Sequence, residues 1–186
     1  MKEMNRREFL ALSGASVALL ALAACGSTPS TPAAPAGSKE AELVAAINKV
    51  WKEKHDAGAV VHEQLTLNQE AQEAIKIQGG IFENAQKPVH TLTPEDMKKL
   101  GEIAAWEYTM KQKYELGGAA GVSEPSSEGE ISLTFDYSCE DAVVQKFVDK
   151  ILDYSLSRKA EFISIYCPVV QSKTYMIATV FWNKTA

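Results

Sequence analysis

The sequence predicts an α+β domain in which helices pack on an antiparallel sheet. Two patterns indicate this class. Apolar residues recur at helical spacing through the first part of the chain after residue 39, and strand-like apolar runs follow near the carboxyl end. Helices and strands that occupy separate stretches of a sequence are typical of α+β folds. The chain has 46% hydrophobic and 23% charged residues, which is the composition of an ordinary globular protein.

The first 24 residues are predicted to be an export signal and not part of the fold. Arg6 and Arg7 precede an apolar or small stretch from residue 9 to residue 24. This stretch is shorter than the roughly 20 residues of a membrane-spanning helix. A charged start, an apolar centre and small residues before a cleavage point are typical of bacterial signal peptides. The alternative is an uncleaved anchor that contains an incidental cysteine.

Two short motifs refine the signal. Residues 5–10, NRREFL, resemble a twin-arginine export motif, and residues 22–25, LAAC, resemble the lipobox of bacterial lipoproteins. The second resemblance implies that Cys25 is diacylated and becomes the mature amino terminus. Each buried CH₂ of an acyl chain contributes about 0.8 kcal/mol, so several chains would hold the protein on a membrane. The expected location is extracytoplasmic, on the cell membrane or on an outer membrane if the cell has one.

A tether and a single domain are expected after Cys25. Residues 26–38 contain only Gly, Ser, Thr, Pro and Ala, which offer nothing to bury and form a semi-extended linker. Residues 39–186 are enough for one domain with its own core. The net charge of −5 argues against a nucleic-acid partner, since nucleic-acid binding needs a basic face.

The first two helices are predicted from apolar spacing and from their end signals. The first covers residues 41–54 and ends at Gly58. For the second, Asn68 is the expected N-cap, and Gly79 and Gly80 are the expected stop. The buried positions expected for these two helices are Leu43, Ile47, Val50, Trp51, Ala71, Ala74 and Ile75.

The third helix has a clear start signal. Thr93 supplies a cap hydroxyl, Pro94 fits the first helical position, and two acids follow in the first turn. This helix is expected to continue toward Tyr114.

A flexible loop, a strand, a fourth helix and a hairpin complete the prediction. Residues 115–129 are expected to form the loop, and residues 131–137 alternate as a strand. Residues 143–152 carry a wide apolar helical face. Residues 162–170 and 174–182 then form an antiparallel hairpin, joined through residues 171–173.

Cys139 and Cys167 remain as a candidate disulfide once Cys25 is used for lipid. An oxidising compartment permits a bridge between them. Closing the loop from residue 139 to residue 167 would stabilise the fold by about 3 kcal/mol on the chain-entropy model. Two buried free thiols are the alternative, because cysteine is a common core residue.

The order of elements and four short motifs resemble the CAP superfamily, which includes cysteine-rich secretory proteins, antigen-five proteins and bacterial SCP-like extracellular proteins. The motifs are AINK at residues 46–49, the segment at residues 65–74, SLSR at residues 155–158 and the closing ISIYCPVVQSKTYMIATVFW at residues 163–182. This resemblance implies an α-β-α sandwich, with helices on both faces of a small antiparallel sheet.

The resemblance also implies a cleft, which in many members holds two His and two Glu that can bind a divalent metal. In one register His90 matches the first His and Glu102 echoes a family Glu. In a second register residues 92–107 match a family helix, residues 59–90 are an insertion, and the first His is absent. In both registers Ser157 stands where the second His is expected, and serine is a poor substitute for imidazole as a ligand. His90 beside a helix start is also typical of a surface-loop histidine.

The sequence therefore predicts a lipid-anchored protein that binds an envelope component, a host component or a small apolar ligand. His90 and Glu102 are the candidate cleft residues, and no catalytic residue, metal or cofactor is assigned. Two alternatives stay open. One is a metal-dependent hydrolase that uses His90, Glu102 and a further ligand that the sequence does not identify, and the other is an unrelated structural or assembly lipoprotein of the α+β class.

Overall fold

The structure is a computed structural model, and it describes residues 37–68, 71–101 and 111–184. The expected signal peptide, Cys25 and most of the tether lie outside these ranges, as do Glu102 and the second half of the predicted third helix. The predictions for these residues are therefore not tested. The third helix does not continue as far as Tyr114, however, because residues 111–113 form a turn. Within the described residues, no helix combines the length and the apolarity that crossing a membrane requires.

The described chain is mixed α+β, as predicted. The helices are α1 (Lys39–Asp56), α2 (Gln72–Ala85), α3 (helical residues 94–101) and α4 (Asp141–Leu152), followed by a 3₁₀ helix at Ser155–Lys159. The strands are β1 (Thr66–Leu67), β2 (Val89–Thr91), β3 (Tyr114–Ala120), β4 (Glu130–Ser132), β5 (Phe162–Tyr166), β6 (Val169–Val170), β7 (Lys173–Thr174) and β8 (Ile177–Asn183).

Helices α1 and α4 confirm the apolar spacing read from the sequence. The hydroxyl of Ser38 accepts a hydrogen bond from the Ala41 N–H at 3.2 Å, which caps the start of α1. Gly58 follows its end with a φ of 74°, a left-handed conformation that favours glycine. The residues predicted to be buried in α1 are all buried: Leu43, Ile47, Val50 and Trp51.

Helix α2 does not stop at Gly79 and Gly80, and that prediction was wrong. The helix continues through both glycines to Ala85. A Cβ atom on Gly79 would lie 2.3 Å from the Cδ1 atom of Tyr166, so this glycine permits α2 to pack closely on β5. The prediction of Asn68 as the N-cap was also wrong, because the N-cap residue is Ala71. Asn68 still contributes nearby, since its side-chain oxygen accepts a hydrogen bond from the Ala71 N–H at 3.1 Å.

The main sheet has the strand order β1-β5-β8-β3. Strands β5 and β8 form the predicted hairpin, and β6 and β7 extend it at its tip. Strands β3 and β8 are also antiparallel, but β1 runs parallel to β5. The sheet is therefore mixed, and the prediction of an antiparallel sheet was wrong for its β1 edge.

Strand β3 lies where the sequence predicted a flexible loop. Residues 114–120 read YELGGAA, and glycine and alanine have low strand propensity. Pairing with β8 over most of its length overrides that local preference. The strand predicted over residues 131–137 is shorter than expected: only β4 is regular, and it pairs with β2 in a separate two-stranded sheet.

Helices pack on both faces of the main sheet. One core cluster joins α1 and α4 to one face, and a second joins α2 and the β2–β4 pair to the other. The sheet residues in the first cluster are Ala120, Ile163, Ile165, Ala178 and Val180. Those in or packed against the second cluster include Tyr166 and Ile177.

Candidate functional site

His90, the predicted cleft histidine, lies in β2 and not in a surface loop. Its side chain is only 14% exposed. The Nε2 atom lies 2.8 Å from the Oδ2 atom of Asp96, whose side chain is buried at the start of α3. The imidazole therefore has a fixed carboxylate partner within the fold.

Asp96 is the centre of a helix cap. Its Oδ2 atom accepts hydrogen bonds from the backbone N–H of Thr93 at 2.9 Å and from the Thr93 hydroxyl at 2.6 Å. The Asp96 N–H donates to the same hydroxyl oxygen at 3.2 Å. Burial by itself raises the pKa of the Asp96 carboxyl, but the hydrogen bonds from Thr93 and His90 lower it to about 2. The helix start predicted at Thr93 is thus confirmed as a capping box. His90 stabilises this cap through its hydrogen bond to Asp96.

The described residues do not fit the metal set that the family resemblance implies. No group of three or more His, Cys, Asp or Glu among them is placed to hold a metal ion. Ser157, where the resemblance implies the second His, is fully buried, and its hydroxyl accepts a hydrogen bond from the Gly118 N–H at 2.6 Å. Glu102 lies outside the described residues. Among the described residues at the implied ligand positions, His90 therefore supports a helix cap and Ser157 is part of the packed interior.

A cleft of about 730 Å³ lies between β3 and the carboxyl end of α4. Most of its lining is apolar or backbone, and its charged members are Lys150, Asp153 and Glu124. Lys150 and Asp153 form an exposed ion pair at 2.9 Å, so the charges of these two side chains balance each other. The remaining lining residues are Leu116, Gly117, Gly118, Ala119, Val122, Ser123, Thr134, Phe135 and Tyr154.

Close backbone contact at Gly118 shapes this cleft. A Cβ atom on Gly118 would lie 2.1 Å from the Ile151 carbonyl oxygen and 2.9 Å from the Ser157 hydroxyl. The β3–β8 register also shifts between Leu116 and Ala119, the irregularity expected of a β-bulge. Glycine and the bulge together bring β3 against the end of α4.

A second cleft of about 450 Å³ adjoins the first, and both are lined by Leu116 and Tyr154. Its wall includes Trp182, whose indole N–H donates to the Glu115 carboxylate at 2.9 Å. Tyr154 is 48% exposed, so its ring is accessible where the two clefts meet. The other residues of the second cleft are Lys111, Tyr114, Leu156 and Lys184.

His90 lines neither cleft. The sequence predicts a candidate site at a histidine, whereas the open apolar surface lies along a strand that the sequence predicts to be a loop. The signal that could have located it is the run Gly117–Gly118–Ala119–Ala120, which lies between larger residues. Small consecutive residues allow a backbone to approach its neighbours closely.

The two candidate disulfide residues lie near the amino-terminal turn of α1. Cys139 is exposed, Cys167 is buried, and both thiols are free in this structure. Burial, followed by the nearby Glu40 carboxylate, raises the pKa of the Cys167 thiol to about 12. The expectation of buried thiols holds for Cys167 and is wrong for Cys139, while a bridge between them stays a prediction.

The chain matches no protein-family model, no curated protein and no solved structure. The resemblance to the CAP superfamily therefore stays a prediction based on the motifs of this chain.

Proposed function

We propose that this chain is an exported, lipid-anchored binding protein whose site is the cleft along β3. Its domain is a divergent, CAP-like α-β-α sandwich, and it acts by holding an apolar ligand and not by catalysis. The observation that carries this proposal is the cleft of about 730 Å³, lined mainly by apolar side chains and by the β3 backbone. Ligand sites are typically concave, largely apolar and limited to a few polar groups.

The polar groups around the cleft suit a ligand without strong net charge. Lys150 is paired with Asp153, and Glu115 in the second cleft accepts from the Trp182 indole. Asp153 and Glu115 therefore already have partners within the chain, and Glu124, the remaining charged residue of the first cleft, is exposed to solvent. Phe135, Leu116 and Val122 offer apolar surface to the ligand. A small uncharged apolar molecule, or the apolar part of an envelope component, fits this chemistry.

The anchor part of the proposal rests on the sequence. Cys25 at the end of a short apolar run would carry the acyl chains, and residues 26–38 would link them to α1. In this arrangement the membrane supplies a local concentration of apolar molecules near the cleft. Anchoring therefore suits an apolar ligand better than a freely diffusing polar one.

The hydrolase hypothesis retains one supporting observation. A carboxylate that accepts from a histidine ring, as Asp96 does from His90, is a common arrangement around metal-binding histidines. Metal analysis of the purified full chain tests this hypothesis. Stoichiometric zinc that is lost in His90→Ala would support hydrolysis, whereas equal and negligible zinc in both proteins would support binding alone.

Photolabelling of the full chain tests the binding site directly. An uncharged apolar diazirine probe is added, activated with light, and the labelled peptides are located by mass spectrometry. The proposal expects labels within residues 114–124, 134–135 and 150–156, which contain most of the cleft lining. Labels that fall outside these segments, with the cleft peptides unmodified, would contradict it. Label on the apolar segment of residues 9–24 is expected in uncleaved chains and is scored separately.

The anchor is tested in a bacterial host. Cells that express the full chain are fed an alkyne-bearing fatty acid, and the protein is recovered from the membrane fraction. Labelling and membrane association should both be lost in Cys25→Ser and retained in Cys139→Ser. Equal labelling of the wild type and Cys25→Ser would overturn the lipoprotein assignment and leave the binding proposal to its own test.

A further inference from the structure

Two acidic side chains in the first turn of α1 join it to the segments that carry Cys139 and Cys167. The Glu40 carboxylate accepts a hydrogen bond from the Cys167 backbone N–H at 3.2 Å. The Glu42 carboxylate accepts from the Tyr137 hydroxyl at 2.8 Å. The Tyr137 hydroxyl oxygen lies 3.5 Å from the Cys139 sulfur. Both cysteines are therefore grouped around a single helical turn.

Backbone pairing brings the same two segments together from the other side. The Tyr137 N–H donates to the Thr174 carbonyl at 2.9 Å, and the Tyr175 N–H donates to the Pro168 carbonyl at 2.9 Å. Residues 174–175 thus lie between the stretch before Cys139 and the stretch after Cys167. Lys39 adds to the cluster, since its ammonium lies 5.3 Å from the centre of the Tyr137 ring.

The two thiols differ in access. Cys139 is exposed and can meet an oxidant in solution, whereas Cys167 is only 6% exposed. Burial raises the pKa of the Cys167 thiol, the charge of Glu40 raises it further, and the charge of Lys39 opposes this increase. An exposed cysteine beside a buried, protonated one favours a fixed order of reaction, with Cys139 attacking first.

We propose that Cys139 and Cys167 are an oxidisable pair that locks the first turn of α1 into the domain. The Cys139 thiolate attacks a disulfide oxidant and forms a mixed disulfide, which releases one thiol of the oxidant. Cys167 then loses its proton to solvent and its sulfur displaces the second thiol. The two protein thiols lose two electrons and two protons in total, and the oxidant disulfide is reduced to two thiols.

The bridge would connect the loop before α4 to the end of β5, across the turn that contains Glu40 and Glu42. Residue 38 directly precedes that turn, so the bridge would reinforce the point at which the tether enters the domain. In the cell this inference rests on the proposed extracytoplasmic location, because disulfides persist in oxidising compartments. The bridge itself is measured on purified protein, so its failure is distinguishable from a failure of anchoring.

The test uses the full chain with Cys25→Ser, so that only the two thiols in question remain. The folded protein is incubated with oxidised glutathione at mildly alkaline pH, then alkylated and digested for mass spectrometry. We expect both alkylation sites to be lost together in the monomer and a peptide pair linked through residues 139 and 167. The midpoint of urea unfolding should rise on oxidation and return on reduction.

Single-cysteine controls complete the test. Cys139→Ser should leave Cys167 free and unreactive, and Cys167→Ser should leave a lasting glutathione adduct on Cys139. Circular dichroism before and after oxidation confirms that each sample is folded. A stable glutathione adduct on Cys139 with Cys167 still free in the two-thiol protein would overturn the proposal. Exclusively intermolecular dimers through Cys139 would do so as well.

Discussion

The His90–Asp96 pair and the cleft along β3 are two opposite kinds of local structure. In the first, a histidine, a carboxylate and the Thr93 hydroxyl satisfy one another, and little of the His90 or Asp96 side chains reaches solvent. In the second, glycine, alanine and apolar side chains line an open space of about 730 Å³. Polar side chains that could bind a ligand, such as those of His90 and Asp96, are already bonded within the fold. Small and apolar residues instead line the open surface where a ligand could bind.

The largest expected effect on stability comes from the cleft. Gly118→Ala would place a Cβ atom 2.1 Å from the Ile151 carbonyl oxygen. Since the backbone must shift to relieve this contact, we expect a loss of about 3 kcal/mol in the free energy of unfolding, together with weaker photolabelling. Urea denaturation measures the first effect.

Gly80→Ala is the matched control for this substitution. A Cβ atom there would meet nothing within 4 Å, and the position is inside α2. Alanine should raise the free energy of unfolding by up to about 1 kcal/mol. If the two variants were equally stable, the close approach at Gly118 would not be the feature that shapes the cleft.

Asp96→Asn is expected to have the next largest effect, and it depends on pH. The folded carboxyl has a pKa of about 2, against an ordinary value of 3.8. Because the folded pKa is depressed, the charge stabilises the fold above about pH 4, and this contribution is lost as the pH falls toward 2. The shift corresponds to about 2 kcal/mol, which the asparagine variant should lack at neutral pH.

Unfolding measured at several pH values checks this. Stability of the wild type should approach that of Asp96→Asn as the pH falls from 4 to 2. Glu95→Gln, on the exposed side of the same turn, should change stability by less than about 0.5 kcal/mol. Parallel curves for the wild type and Asp96→Asn across this range would contradict the capping role.

His90→Gln is expected to cost about 1 kcal/mol in the free energy of unfolding, since it weakens one hydrogen bond to a charged partner. It should leave photolabelling of the cleft unchanged, because His90 lines neither cleft. A loss of labelling as large as that of Gly118→Ala would show that the two regions form a single site.

Tyr154→Ala should have the smallest effect on stability, within about 0.5 kcal/mol, because the side chain is 48% exposed. Its ring lines both clefts, so labelling should fall several-fold. Leu156→Ala is the matched comparison, since Leu156 lines the second cleft alone. Equal losses of photolabelling from the two substitutions would indicate that the probe binds in the second cleft.

The sequence predicted those parts of the fold in which local signals and tertiary packing agree. Apolar spacing identified α1 and α4, and the strand-like apolar runs near the carboxyl end identified the β5–β8 hairpin. The Thr93–Pro94 start signal was read correctly because a capping box involves neighbours three residues apart. Such short-range interactions are visible in the order of residues.

The remaining features depend on contacts between distant segments. Strand β3 has the local preferences of a loop and becomes a strand because β8 pairs with it. In the sequence, Gly79 indicates the end of a helix. In the fold, Gly79 lies inside the helix because the Tyr166 ring leaves no room for a larger side chain there. The role of His90 was missed for a different reason. Asp96 is only six residues away, but the order of residues does not show that this carboxylate would occupy the imidazole that a ligand site would have needed.

The most direct test of the binding site is a pair of alanine-to-tryptophan substitutions in the full chain. Ala119 lines the cleft and is exposed, so Ala119→Trp should fill it. Ala142, exposed on α4 and absent from the lining of both clefts, provides the matched control Ala142→Trp. Photolabelling of residues 114–124 and 150–156 by the apolar probe should be lost in the first variant and kept in the second. Full labelling of these segments in Ala119→Trp would contradict the cleft as the ligand site.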